Sequence, residues 1–352
     1  MRDFLKLLLI EYITAGGLNN APLSASLLRE AMLMRDALLH DFSLLKDVEI
    51  ITTYDARLSS STKTQLAIRI DEKSNAMEIW QSLLQSCDAA LVIAPEADGV
   101  LSELTEMITL SSAKNLGCSQ PAVNVASSKY ATFQALKSAN ILTISTHAAS
   151  AYITSSLNAD ESVINGYVVK PDDGAGCDDT FYFQNKGMLH EWLNFNVDKL
   201  ARYIVQPYQT GMPASISVLC KNGEVWLLSC NQQKVAIATS EAAALSEYQA
   251  TFNYHGSVVN GLTHYHAAFV SLADRITKAT PGLNGYVGID VIIDGEAIYV
   301  VEINPRITTS YIALNESLDC NPAELLLDLV DNLNFKLPEN LANKMVEVSF
   351  NE

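Results

Sequence analysis

The sequence predicts an α/β unit built on a parallel, Rossmann-like sheet, followed by units made of antiparallel hairpins. Three observations predict it. Apolar runs at residues 7–10, 48–54 and 89–95 alternate with segments of helical period, as strand–helix–strand units do. Beyond Tyr203 strand follows strand, with turn signals at Asn222 with Gly223 and at Asp294 with Gly295. The chain has 352 residues, the length of two or three domains.

Composition narrows the function. A hydrophobic content of 49% with 18% charged residues suits a soluble protein with a large core. A net charge of -17 argues against a nucleic-acid partner, which needs clustered Lys and Arg, but leaves room for local ATP binding. Six scattered cysteines without a C-x-x-C pair read as reduced, cytoplasmic thiols. The first apolar run stops at Glu11, too short for a signal peptide or membrane span, and no later segment reaches membrane length.

The elements follow in order. Residues 7–10 form a first strand, leading to a loop, EYITAGGLNN, whose Gly16 and Gly17 are substrate-contact candidates. Leu27, Leu28, Ala31, Met32 and Met34 recur at helical spacing. Residues 48–54 are the second strand; a helix over 77–85 precedes the third, at 89–95. No G-x-G-x-x-G follows the first strand, so a dinucleotide fingerprint is absent. Leu101, Leu104 and Ile108 share a helical face. Ligands of such sheets bind beyond the strands' carboxyl ends, where Glu11 and Glu96 lie; both are substrate-pocket candidates or ordinary loop carboxylates. Residues 121–141 open a new unit, with Ser127 or Ser128 capping a helix. Residues 146–162 read as a surface connection, and 166–183 as strand, glycine-rich loop, strand. Asn321 caps the last helix, with Pro322 at its first position.

The strand VEINPR poses a chemical question, because a Glu, an Asn and an Arg stand in a buried-looking run. Alternation puts Glu302 and Asn304 on one face, with Val301 and Ile303 on the other. The turn at Asp294 and Gly295 brings Asp290 opposite Glu302 or one pair away. Two carboxylates and an amide oxygen make a hard, all-oxygen site of the kind magnesium prefers, completed by water and phosphates. Lys170 ends a strand beside Gly174 and Gly176 in KPDDGAG, where a lysine and backbone amides can meet phosphate oxygens. The Walker spacing is absent. Lys129 offers a second cation. His264 and His266 would share a strand face, yet two histidines without a third ligand read as packed or surface residues.

Taken together, K170-P-D-D-G-A-G, Q206-P-Y-x-x-G and D290…E302-I-N304-P-R306, after S-S-K129-Y-A-T, resemble the ATP-grasp superfamily over nearly the whole chain. The resemblance implies an ATP-grasp fold of class α/β plus α+β: a Rossmann-like pre-ATP-grasp domain (residues 1–122) and two α+β lobes (123–204 and 205–352). It implies Lys129 and Lys170 as phosphate lysines, Gln206 and Tyr208 along adenine, Asp290, Glu302 and Asn304 as ligands of Mg2+ (or Mn2+), and Arg306 on phosphate or acyl phosphate. Pro207 and Pro213 stand where relatives carry acidic residues for ribose, which leaves Ser215 as a ribose candidate.

Most such enzymes activate a carboxylate as acyl phosphate and capture it with an amine. The opening loop and residues 90–101 look most like tyramine–glutamate ligases. The resemblance therefore implies small carboxylate and amine substrates and a homodimer. Thr308, Thr309 and Ser310 can hydrogen-bond the acceptor or cap a loop, and His255 lies where relatives place a substrate-covering loop. Two other readings stand beside this one: a catalytically silent ATP-binding regulator, and a ligase acting on a peptide or protein terminus.

Overall fold

A computed structural model describes residues 4–59, 64–153, 165–174, 179–239 and 250–350. The N-terminal sheet is parallel throughout. Its strands are β1 (Leu5–Glu11), β2 (Val48–Asp55), β3 (Leu66–Ile70), β4 (Ala89–Ile93) and β5 (Lys114–Asn115), in the order β3-β2-β1-β4-β5. The strand at 89–95, expected third, is the fourth. β3 escapes a sequence reading because it is a short edge strand with Leu66 and Arg69 exposed, so it lacks a continuous apolar run.

β1 is the central strand, and its alternating side chains serve two cores. Leu7 and Leu9 pack with Met34, Leu38, Leu39 and Phe42 of α1 (Ala25–Ser43). Leu8 and Ile10 pack with Trp80 and Leu84 of α2 (Ala76–Leu84) and with Leu101, Leu104 and Ile108 of α3 (Val100–Thr109). All four β1 residues are wholly inaccessible to solvent. At roughly 1.5–3 kcal/mol each, this one strand contributes an amount comparable to a whole domain's net stability of about 5–15 kcal/mol.

Two short helices, α4 (Gln120–Ser127) and α5 (Lys129–Ser138), open the next unit. Ser119 caps the first and Ser128 the second, each accepting a backbone N–H three residues on. The expected surface connection starts instead as buried structure: β6 (His147–Ala148) and the helical turn α6 (Ala149–Tyr152), with Thr146, Ala149 and Tyr152 inaccessible. Residues 154–162 of that connection lie outside the described residues.

The second sheet runs β14-β13-β10-β11-β12-β8-β7-β9-β6. Its strands are β7 (Tyr167–Pro171), β8 (Phe181–Phe183), β9 (Tyr203–Pro207), β10 (Met212–Lys221), β11 (Glu224–Thr239), β12 (Ala250–Val259), β13 (Gly285–Asp294) and β14 (Ala297–Asn304); β15 (Val346–Ser349) adds to β12. The hairpins turn where expected: Asn222 and Gly223 are both left-handed, at φ 52 and 86, which matches the strands' twist. Among the described residues four more helices complete the fold: α7 (Lys186–Phe195) on β7 and β8, α8 (His266–Ala279) on β10 and β11, then α9 (Leu314–Leu318) and α10 (Pro322–Asp331). His264 lies in a 3-10 turn (Thr263–Tyr265) and His266 is the first residue of α8, so neither lies on a strand, and the run after them is helical. No described helix is long and apolar enough to cross a membrane.

Candidate active site

A cleft of about 870 Å³ is lined by both sheets, near the top of the roughly 300–1,000 Å³ that ligand sites span. Its floor is the β13–β14 hairpin. Asp290 pairs directly with Glu302, and Gly288 with Asn304. The pairing passes through a bulge: Val291 faces Val300, so Val301 is the extra residue. This corrects the expected alternation. Val300 takes the core position opposite Val291, while Val301 joins Glu302 and Asn304 on the cleft wall. Gly288 is needed for a close approach, because a Cβ there would meet Thr308 Cγ2 at 2.5 Å.

The two carboxylates are strongly unequal. Burial, then the charge of Glu302, pushes Asp290 up to about 8. Burial also acts to raise Glu302, but Lys129, Lys170, the hydrogen bond with Asp290 and Arg306 together outweigh it and hold that carboxyl below its ordinary value. Asp290 is further held by Asn304, whose Nδ2 donates at 3.0 Å, and by Gln233 Nε2 at 2.8 Å. Asn304 thereby keeps its amide oxygen for another partner. Two carboxylates that resist ionising together, beside that oxygen, suit a hard divalent cation that keeps other positions for water and phosphate. Among the described residues no group of three or more His, Cys, Asp or Glu could hold a metal ion.

The lysines approach from the other side. Lys170, on β7, lines the cleft and is 8% exposed. Lys129 is no solvated helix lysine: it is 7% exposed, its Nζ donates to the Gly174 carbonyl at 3.1 Å, and it lies 3.7 Å from Glu302 Oε2. Asp172 fixes that placement. Its carboxylate accepts from Ser128 Oγ (2.7 Å) and the Tyr130 N–H (2.8 Å), and its carbonyl accepts from the Lys129 N–H (2.9 Å). Gly174 adopts φ 103, a conformation that other residues rarely take. Gly176 lies outside the described residues. Gln206 is buried opposite Val168 of β7 and donates to Thr146 Oγ1 at 2.8 Å. Tyr208 lines the cleft between the rings of Tyr182 and Phe252. Ser215 pairs with Asp290 across β10 and β13 and also lines it, as do Pro207 and Pro213.

At the far end stand Thr308, Thr309 and Ser310, with Tyr254 Oη 3.1 Å from Thr309 Oγ1 and Tyr286 Oη 2.9 Å from Thr308 Oγ1. His255 lines this end from strand β12, not from a loop. The start of α1 closes it with Ser26, Leu27 and Glu30.

Glu11 also lines the cleft, but its carboxylate turns into its own loop and accepts from Thr14 N (2.8 Å) and Oγ1 (2.6 Å); burial pushes it up against those bonds. Glu96 lies behind the wall, 4% exposed, accepting from Arg306 Nη2 at 2.9 Å, with Oε1 2.9 Å from Nε. Gly16 and Gly17 do not line the cleft: they pack against Ile70 and the Tyr12 ring. Thus one cleft gathers Lys170, Gln206, Tyr208, Asp290, Glu302, Asn304, Arg306 and the 308–310 turn, with Lys129 and Glu96 just behind. Sequence reading missed Asp172, Gln233 and Thr146. None carried a local signal: the helix N-terminus that Asp172 meets lies more than 40 residues earlier in the chain.

These features have counterparts in known proteins. A pre-ATP-grasp 3 domain family matches residues 48–123, and an ATP-grasp domain family matches residues 126–310. The tyramine–L-glutamate ligase of Methanocaldococcus jannaschii is 31% identical over 276 residues, which span 77% of this chain and 73% of that protein. An ATP-grasp superfamily protein from Archaeoglobus fulgidus superposes with a TM-score of 0.65 at 24% identity, covering 92% of this chain and 88% of the other. The biotin carboxylase domain of Hydrogenobacter thermophilus 2-oxoglutarate carboxylase, solved with MgADP, gives 0.64 at 14% identity, covering 97% and 73%. At those identities the two structures speak for the fold alone. The matched ATP-grasp domain spans more than half of the chain, which therefore belongs to the ATP-grasp family and is an ATP-dependent carboxylate–amine ligase.

Proposed function

We propose that the cleft joins an amino-acid carboxylate to a small amine, with L-glutamate and tyramine as the pair. The observation that carries the reading is the direct pairing of Asp290 with Glu302 in the same cleft as Lys170 and Arg306. The substrate pair rests on the relative's name, tyramine–L-glutamate ligase. In this reading Asp290, Glu302 and Asn304 hold Mg2+, with Mn2+ an acceptable substitute. When bound, the cation neutralises phosphate charge and orients the transferred group. Lys129, Lys170 and Gly174 surround the phosphates, and Gln206 and Tyr208 lie along adenine. Residues 1–122, 123–204 and 205–352 are the pre-ATP-grasp domain and the two lobes, and the chain acts as a homodimer.

The chemistry follows from charge placement. A carboxylate oxygen of the amino acid attacks the γ-phosphorus, the bond to ADP breaks, and an acyl phosphate forms. Arg306 steadies the phosphate oxygens as charge redistributes over them. The neutral amine then attacks the acyl carbon, inorganic phosphate leaves, and the amine gives up a proton. Thr308, Thr309, Ser310 and His255 flank the amine's approach. The test is ADP release with ATP and Mg2+ across amino acids paired with small amines. Release should peak with glutamate and tyramine and vanish in Glu302→Ala. Another active pair replaces the substrates, and nucleotide-independent behaviour in every pair refutes the reading.

A further inference from the structure

Arg306 stands among three carboxylates. Glu96 accepts its Nη2–H at 2.9 Å and lies 2.9 Å from Nε, and Nη1 donates to the Ile307 carbonyl at 3.1 Å. Glu302 and Asp290 attract it from the cleft side. The ion pair with Glu96 is nearly dry, with side chains 10% and 4% exposed, and it joins the carboxyl end of β4 to the end of β14. A buried guanidinium without that anchor has two other carboxylates to turn to. The loop carrying Glu96 is itself held: Asp98 and Gly99 are both left-handed, at φ 55 and 73, and the Asp98 N–H donates to Asp173 Oδ2 at 2.9 Å.

We infer that Glu96 is a positioning residue, which pins Arg306 at the rim and so leaves the Asp290–Glu302 pair to a divalent cation. The inference rests on the reading of that pair as metal ligands. Glu96 is thereby removed from the substrate contacts. Its effect reaches the reaction only through Arg306, and the N-terminal domain takes part in catalysis by supplying the anchor.

The experiment measures Mn2+ binding by electron paramagnetic resonance in the presence of ADP, alongside thermal melting and ADP-release kinetics. Glu96→Gln keeps the shape but gives up the charge. It should weaken Mn2+ binding about tenfold or more and lower kcat more than it changes the KM for ATP. Arg306→Ala with Glu96→Gln should bring Mn2+ binding back to within about twofold of wild type, because no guanidinium is left to compete. A loss that persists in the double variant means a merely structural role and overturns the inference, as does wild-type Mn2+ affinity in folded Glu96→Gln. Glu96→Ala, which also gives up the charge, carries the same comparison if the Gln variant melts below the assay temperature. Failure of the wild-type protein itself to bind Mn2+ with ADP would instead overturn the metal reading.

Discussion

Replacing Asp172 by alanine tests how the phosphate lysines are held. The carboxylate accepts two hydrogen bonds, from Ser128 Oγ and the Tyr130 N–H, at the N-terminus of α5. Each is worth about 1 kcal/mol net, and the charge at a helix N-terminus adds about 0.3–1. The expected loss is thus about 2–3 kcal/mol for the unit that carries α5. The backbone bonds from Lys129 N to the Asp172 carbonyl and from Asp172 N to the Arg202 carbonyl survive. The helix should therefore fray at its first turn without detaching. Lys129 is the first residue of that turn, so nucleotide affinity should fall about tenfold, equivalent to about 1.4 kcal/mol. Asp172→Asn retains one good acceptor and should lose about half as much stability. Urea unfolding followed by circular dichroism reads the first effect, and titration with a fluorescent ATP analogue reads the second. Unchanged stability and unchanged nucleotide affinity in the alanine variant would refute the assignment of Asp172 as the anchor of Lys129.

Three other perturbations follow from the packing. Lys221 Nζ donates to the carbonyls of Leu329, Val330 and Asn332 at the end of α10; Lys221→Met should cost about 2 kcal/mol in urea unfolding, with no effect on nucleotide binding. Burial pushes Cys220 and Cys230 up to about 12 and Cys118 higher still. At neutral pH a thiol at 12 is ionised in roughly one molecule in 10⁵, so these three should resist a disulfide reagent until the protein unfolds. Hydrogen bonds from the Arg57 side chain hold Asp55 below the usual carboxylate range, with Arg57 also clamping the carbonyls of Leu18 and Ala21. A depressed carboxylate stabilises above its unfolded value, about 3.9, and that stability goes as pH falls. Melting temperature should therefore drop more steeply between pH 5 and 3 in wild type than in Arg57→Met.

How much was legible depended on the range of the interaction. The Asp290–Glu302 pair could be read because a two-residue period and a turn signal fix it within one hairpin. The extra residue Val301 could not, since nothing local marks a bulge. Glu96 was picked for standing beyond a strand's carboxyl end, and that is where it is, but its partner Arg306 lies 210 residues on and is found only by folding the chain. Gln233 gave no sign, being one polar residue in a strand with several. His264 and His266 misled because a short aromatic run fits strand and helix alike, and the helix won through Phe269, Leu272 and Ala273 packing inward.

The bulge at Val301 also bears on how this chain can change. Strand β14 is written in two phases: Tyr299 faces outward and Val300 inward before it, and Glu302 and Asn304 face the cleft after it. Val301 is the frameshift between them. Deleting that single residue would place Val300 beside Glu302 in plain alternation, with Val300 still inward and Glu302 and Asn304 still on the cleft, so the shortened strand keeps every pair of the ladder. A substitution of Val301 by another β-branched residue leaves both phases intact. The position is thus indifferent to chemistry and dispensable to the register, so descendants of this sequence should vary there both in identity and in whether the extra residue is present, while keeping an apolar residue at Val300 and the cleft-facing pair Glu302 and Asn304.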